Sequence, residues 1–494
     1  MVTKFRSYEE AEEYFDGIED KAKILNVEFP KNSGEFKQLV FYKPEITLKE
    51  KKEFDEKNQE ASQNSSFMEG TKSQGIVVKN ISEYKENVKR WLYFEDDDVL
   101  DIVLAGMVAE KVGGDPIWLL LIAPPGGSKT ELLRSFTGEF VYPLSDMTSK
   151  TLISGLMVGE GDKRRKIEDL LPQLNGKTLV FKDFTTILEK GGDERREIIA
   201  QFREAYDGTF SKKVGTVDKP IRYESRFGFV AGVTPIIDKH WKVMQQLGER
   251  FLKVRWNEKA DKTTEKSMQN EGKEIEMRKD LMANSNAFIE ALDFTKIPTF
   301  DEEKYGKDIM NLAKFVAKAR TPLSIRANKD DFYHDYIPMS EVPTRLVKQL
   351  KKMAKCLAFV RNKEQVTDEE MNIMIRIAKD TTPPDRMAIL EVIREFEALT
   401  IQGCPRNKIF TCIKMPESSI RLVLEQLKLL DLITISNNPP TYETLYRTTA
   451  IYPHISCTLQ EKSGGINFDN MDAYEKAGLG EEAKKILNKQ EGKK

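Results

Sequence analysis

An unbroken apolar run, Ile117 to Ile122, enters Ala123-Pro124-Pro125-Gly126-Gly127 and then Ser128-Lys129-Thr130-Glu131-Leu132-Leu133. The run predicts a buried parallel strand, the Pro/Gly stretch a turn, and the residues after it a helix. Two further apolar runs follow, Thr178–Phe181 before Lys182-Asp183 and Phe227–Val233 before Thr234-Pro235. Residues 98–110, ahead of the first run, have helical spacing. Strands alternating with helical stretches, each with a polar residue at its C-terminal end, predict an α/β fold on a parallel sheet with its ligand at those strand ends.

The second half of the chain has a different pattern. Residues 258–280 are charged and read as a helix or an exposed linker. Residues 343–379 read as two helices split by NKEQVTDEE, with Thr367 as an N-cap and Glu370 completing a capping box. Pro383-Pro384 closes that region. Helical patterns at 387–399, 406–413 and 416–430 follow, with Ile420, Leu424 and Leu427 as a core stripe on the last, and then two short strands, LITIS and TLYRTT. Three helices and a β-hairpin predict a winged helix. The expected organisation is an N-terminal region and linker over 1–75, a P-loop core over 76–257, a charged connector and helical lid over 258–384, a winged helix over 385–455 and a polar tail over 456–494.

Composition narrows the function classes. A chain of 494 residues holds about two to four domains. Its formal net charge of -2 gives no global pull toward nucleic acid, so such binding would need local basic patches. The four Cys are far apart without a CxxC pair, and there are three His, so no zinc site is expected. No segment reaches about 18 apolar residues and the N-terminus has no apolar signal core, so no membrane span and a cytoplasmic protein are expected.

The chemistry concentrates at the first strand end. Strand, glycine turn and helix N-terminus form the layout of a phosphate-binding loop, in which Pro125, Gly126, Gly127, Ser128, Lys129 and Thr130 would surround the phosphates of a nucleotide. Gly126 and Gly127 let backbone N–H groups turn inward. Lys129 can reach the β and γ phosphates of ATP, and the Thr130 hydroxyl can ligate Mg²⁺. The usual pattern is G-x-x-x-x-G-K-[ST]; here Ala123 replaces the first glycine and Ser128 the one before the lysine. Asp183 is the candidate metal or water organiser, Thr234 the residue that positions water near the γ-phosphate, and Arg250 a candidate arginine finger.

On these motifs the chain resembles the AAA+ ATPases, and within them the minichromosome maintenance (MCM) helicase group, over roughly residues 88–450. FKDF stands where the family has IDEF. YDGTFSKKVG stands at its presensor-1 hairpin, Thr234-Pro235 at its sensor-1 Asn-Pro, Glu249-Arg250-Phe251 at its arginine-finger motif, and Arg345 at its sensor-2 arginine. The resemblance implies ATP and Mg²⁺ as cofactors. It also implies a homo-oligomeric ring, expected to be a hexamer, that completes each site between protomers, and single-stranded DNA in the channel against Lys212 and Lys213. Lys163-Arg164-Arg165-Lys166 falls where the family has its helix-2 insert. The chain departs from the family at Lys182. Aligned on Phe184, Asp183 takes the place of the catalytic Glu and Lys182 that of the Mg²⁺-side Asp; in the other register Asp183 is the Walker-B Asp with no Glu after it. Residues 1–80 are too short, and lack the Cys pairs, to be expected to form the zinc-bearing, OB-fold N-terminal region of the family. The expected activity is an ATP-dependent helicase or translocase of a mobile element, phage or related replicon. The alternative is an ATP-switched regulator or remodeller that binds protein through the winged helix. A weaker third reading is a nucleotide-binding protein without turnover.

Overall fold

The computed structural model describes residues 3–4, 27–28, 78, 80–153, 157–158, 165–166, 169–212, 221–241, 244, 250–328, 331–334, 337–399, 403–438 and 443–449. The chain divides into two units, Met1–Lys72 and Ser73–Lys494. In the first, Thr3–Lys4 pairs in parallel with Val27–Glu28. Everything below concerns the second.

Five parallel strands form its sheet: β1 (Trp118–Ile122), β2 (Val141–Leu144), β3 (Thr178–Phe181), β6 (Gly228–Val233) and β7 (Leu252–Arg255), in the spatial order β7-β1-β6-β3-β2. β1 is buried along its whole length, which is why it reads as a continuous apolar run rather than an alternating one. Its residues still alternate between two cores. Leu119 and Leu121 join one face with Val180 and Val230; Trp118, Leu120 and Ile122 join the other with Phe181, Phe202 and Phe229. The first face is covered by α1 (Ile81–Trp91), α2 (Asp98–Val108) and α3 (Lys129–Arg134), the second by α4 (Thr185–Glu189) and α5 (Gly192–Tyr206). The middle of the second face is aromatic. The Trp118 ring lies 5.1–5.8 Å from those of Phe202, Tyr206, Phe227, Phe229 and Phe251, and its indole N–H donates to the Phe227 carbonyl at 3.0 Å, satisfying the one polar atom such a ring brings inside.

Between α5 and β6 an antiparallel hairpin leaves the sheet, β4 (Thr209–Lys212) against β5 (Ile221–Glu224). The chain enters it through Gly208 at φ +82°, a left-handed turn that glycine takes without steric cost.

After β7 the chain becomes helical. Residues 258–280, expected as a helix or a linker, contain α6 (Ala260–Gln269) and the start of α7 (Glu274–Glu290). α8 (Glu302–Ala319) follows, then a hairpin of β8 (Ile325–Asn328) and β9 (Asp331–His334), then α9 (Thr344–Val360) and α10 (Asp368–Thr381). The Thr367–Glu370 capping box is formed. α9 and α10 are tied to α2 by Arg361, which donates to Asp101 (2.5 and 2.8 Å) and Glu370 (2.8 Å). The last elements are α11 (Pro384–Leu399), β10 (Cys404–Pro405), α12 (Arg406–Cys412), α13 (Glu417–Leu429), β11 (Ile433–Asn438) and β12 (Glu443–Thr448). β10, β12 and β11, in that order, form an antiparallel sheet. Ile420, Leu424 and Leu427 of α13 are buried, as are Ile393 and Phe396 of α11. The linker expected around 58–75 and the polar tail lie outside the described residues.

Candidate functional site at the ends of the parallel strands

The loop after β1 turns at Gly126, which has φ +78°, and α3 begins at Lys129. Because β6 runs beside β1, the helix packs closely on the end of β6. A Cβ added at Gly232 would lie 2.9 Å from the Lys182 carbonyl oxygen and 3.2 Å from Leu133 Cδ1. Glycine there is a requirement of the helix–strand approach, not of the backbone angle.

Lys129 is 6% exposed. Its Nζ donates to the carbonyls of Ala123 (2.5 Å) and Pro124 (2.6 Å). Burial pushes its pKa down, and the carboxylates of Asp183 and Glu258 push partly the other way. The ammonium therefore faces backbone carbonyl oxygens of the loop that precedes it, where a phosphate oxygen would be a charged and stronger partner.

Three strand ends meet beside this loop. The Ala123 N–H donates to the Val233 carbonyl (3.3 Å) and the Phe184 N–H to that of Gly232 (2.7 Å). Asp183 is exposed, and its Oδ1 accepts the Thr185 N–H at 2.9 Å, so the carboxylate caps the turn into α4. Thr185 was not anticipated from the sequence. Its hydroxyl accepts the Thr234 N–H at 3.3 Å and lies 3.4 Å from the Thr234 hydroxyl. That locks the ends of β3 and β6 together beside the loop. The structure thus brings Lys129, Asp183 and Thr234 to one place.

Lys182 points elsewhere. Alternation along β3 puts it on the face of Val180, which shares a core with Leu132 and Leu133 of α3. Its charge neighbours are Arg134 and Glu131, and burial, then Arg134, pushes its pKa down while Glu131 raises it. An ammonium cannot ligate a metal. The oxygen donors left for Mg²⁺ are the exposed Thr130 hydroxyl and the Asp183 carboxylate. That set fits an ion that takes few protein ligands and completes its shell with water and substrate phosphates.

Glu258 was also unforeseen. It lies three residues after the end of β7, and its side chain reaches the loop. One carboxylate oxygen accepts from Trp256 Nε1 (3.2 Å) and the other from Thr263 Oγ1 (3.2 Å) and Ser128 Oγ (3.5 Å). No local pattern marks it, because its reach depends on β7 pairing in register with β1, Arg255 opposite Ile122.

Arg250 and Arg345 are not near this site. Leu252 pairs with Leu119, so Arg250 lies level with Ile117 at the opposite end of the sheet. At about 3.3 Å per residue, that is roughly 17 Å from Ile122. Arg345, on the first turn of α9, is beside it: both guanidinium groups lie 5.9 Å from the centroid of the Tyr206 ring. Arg250 is 3.4 Å from Asp207 Oδ2, and Gln349 of α9 donates to its backbone carbonyl at 2.8 Å. Arg345 is 2.8 Å from Glu341. Burial and the neighbouring Arg345 push the Arg250 pKa down, and Asp207 opposes them. Tyr206 and Asp207 end α5, immediately before the β4–β5 hairpin, so the arginine pair sits at the root of that hairpin. Lys212 is the last residue of β4; Lys213 lies outside the described residues, as do Glu249, Lys163 and Arg164. Arg165–Lys166 forms a short strand against Met157–Val158.

Among the described residues, no group of three or more His, Cys, Asp or Glu is arranged to hold a metal ion, and no helix is long and apolar enough to cross a membrane.

No protein-family model matches the chain. Over 126 residues it is 32% identical to the ATP-dependent zinc metalloprotease FtsH 2 of Sorangium cellulosum (strain So ce56). The matched region is 23% of this chain, and the chain spans about one fifth of that relative's length, 20%. The parallel five-stranded sheet flanked by helices, with this similarity, is consistent with the P-loop fold of the AAA+ ATPases.

Proposed function

We propose that the chain is an AAA+ ATPase of MCM-like type that hydrolyses ATP in an oligomeric ring and acts on DNA as a helicase or translocase. The observation that carries this reading is the position of the arginine pair. Arg250 and Arg345 share the Tyr206 ring at the sheet end away from the chain's own loop. They can act on a nucleotide only if a second protomer presents its loop there, which favours a ring, and a hexamer is the ring size we expect. The same residues root the β4–β5 hairpin. A nucleotide at the junction would therefore be connected through Arg250 and Asp207 to a hairpin that carries Lys212 and Lys213, and those lysines would meet single-stranded DNA phosphates as point charges.

In this scheme the backbone N–H groups of residues 126–130 and the Lys129 ammonium hold the phosphates, with Pro125 shaping the turn. Thr130 and Asp183 would hold Mg²⁺, which would supply positive charge against the phosphates. Asp183 and Thr234 orient the attacking water, and Arg250 and Arg345 of the neighbour stabilise the charge that develops on the transferred group. Beyond the core, we take 258–384 as connector and lid. The pairing of β10 with β12 beside α12 and α13 supports a winged helix over 385–455.

The test is ATP turnover with and without single-stranded DNA, with Lys129→Ala as the blank. Turnover that rises with DNA and disappears in the blank is expected. Binding of ATP with no response to DNA favours the second reading, an ATP-switched remodeller of protein partners. The specific feature behind that reading is Lys182, which leaves Asp183 as the sole carboxylate at its strand end.

A further inference from the structure

The phosphate loop is already in contact with an anion that belongs to the chain. Glu258 Oε2 lies 3.5 Å from Ser128 Oγ; burial pushes the Glu258 pKa up, and the polar groups of Trp256, Thr263 and Ser128, side chain and backbone, push it partly back. A Cβ built on Gly127 would be 3.7 Å from the same oxygen. These donors open the loop, and loop N–H groups of this kind are the ones that take phosphate oxygens. The side chain is held there from behind by Trp256 Nε1 and Thr263 Oγ1, each at 3.2 Å.

What hangs on this carboxylate is helix α6. None of its ten residues is buried. It is fastened at its start by the Thr263–Glu258 bond and the exposed Lys259–Glu95 pair (2.6 Å), and just past its end by Asn270 donating to the Trp91 carbonyl (2.7 Å). An exposed ion pair contributes little, so the Glu258 contact is the principal attachment of its first turn.

We propose that Glu258 is a built-in competitor for the phosphate loop: without nucleotide its carboxylate takes the Ser128 donors, and an arriving phosphate displaces it and releases the first turn of α6. The proposal rests on the phosphate-loop reading. Two anions cannot share those donors, because like charges at contact distance repel strongly in a partly desolvated site. The two carboxylate positions, seated and displaced, give the chain a nucleotide-dependent change that needs no movement of the sheet.

The test compares binding of a fluorescent ATP analogue with Mg²⁺ to the full chain, to Glu258→Gln and to Lys129→Ala, with amide hydrogen exchange over residues 259–270. Glu258→Gln keeps one acceptor, for the Trp256 N–H, and its amide N–H₂ can donate to the Thr263 hydroxyl, but it loses the charge. It is expected to bind about tenfold more tightly, and saturating ATP is expected to speed exchange at the start of α6 in the unaltered chain. Unchanged or weaker binding by Glu258→Gln, with binding lost in Lys129→Ala, overturns the proposal and leaves the phosphate loop standing. Tighter binding with no change in exchange overturns displacement, since a carboxylate that merely repels from nearby gives that result. Lys129→Ala binding like the unaltered chain overturns both.

Discussion

Replacing Gly232 with alanine should damage the phosphate loop without touching it. The added methyl would sit 2.9 Å from the Lys182 carbonyl oxygen, 3.2 Å from Leu133 Cδ1 and 3.8 Å from Lys129 Cβ. Ordinary contact begins near 3.4 Å, so roughly half an ångström must be found. The closer neighbour is backbone just past the adjoining strand β3 and cannot rotate away, so the end of β6 must shift, and α3, which packs on it and carries Lys129, shifts with it. Overpacking of this kind costs about 1–3 kcal/mol. Gly126→Ala is the control. Nothing lies within 4 Å of its Cβ, but its φ is +78°, so its cost is backbone strain of about 1–2 kcal/mol. Chemical denaturation measures the stability loss in both, and binding of a fluorescent ATP analogue shows whether α3 has moved. We expect Gly232→Ala to lose both stability and at least tenfold in affinity. If it unfolds at the same denaturant concentration as the unaltered chain and binds ATP equally well, the close seating of α3 on β6 is wrong, and with it our explanation of how Lys129 is aimed.

Other perturbations reach other parts of the argument. Arg361→Leu strands Asp101 and Glu370, 1% and 0% exposed. Each retains a lysine, Lys85 and Lys363, so the loss should be near the lower end of the roughly 3–5 kcal/mol typical of a broken buried pair; denaturation with no change would contradict it. Asp380, pushed up from 3.8 to about 6 by burial, binds its proton more tightly folded than unfolded. Stability should therefore fall as pH rises from about 4 to 6, by on the order of 2–3 kcal/mol. Asp380→Asn should flatten that slope in melts taken across the range, and an unaltered slope would assign it to another group. Arg250→Ala mixed with Lys129→Ala should recover turnover that neither variant has alone, because a junction can then pair an intact loop with an intact arginine; no recovery at any ratio would argue against action between protomers. Lys212→Ala with Lys213→Ala should abolish stimulation by single-stranded DNA while basal turnover remains, as read in the same turnover assay.

Much of the sheet could be read from the chain because fully buried parallel strands leave continuous apolar runs. Thr178–Phe181 matches β3 residue for residue. β2, Val141–Leu144, could not be read this way: it is an edge strand in which only Val141 is buried and Pro143 is exposed, and its apolar signal is correspondingly broken. The residues at strand ends were visible by type, since Lys129, Asp183 and Thr234 each follow an apolar run. Thr185 and Glu258 were not, for different reasons. Thr185 acts across two strands whose neighbourhood is not encoded locally, and Glu258 depends on the register of β7 on β1. For Arg250, action on a neighbouring protomer's nucleotide followed from the resemblance; that Arg345 joins it at the sheet end away from the loop did not, because a sequence order of motifs carries no information about which end of a sheet each one reaches.

The placement of two tryptophans has a practical consequence. Trp118 is packed against Tyr206, whose ring carries both arginines, while the Trp256 indole N–H is bonded to the Glu258 carboxylate over the loop. The two indoles therefore mark opposite ends of the sheet, one in a dry aromatic nest and one beside a charge. Retaining either one while the remaining tryptophans are replaced by phenylalanine would give two unlabelled optical probes, one for arrival at the loop and one for arrival at the arginine edge. Rapid-mixing fluorescence on the two variants could then time the two events separately.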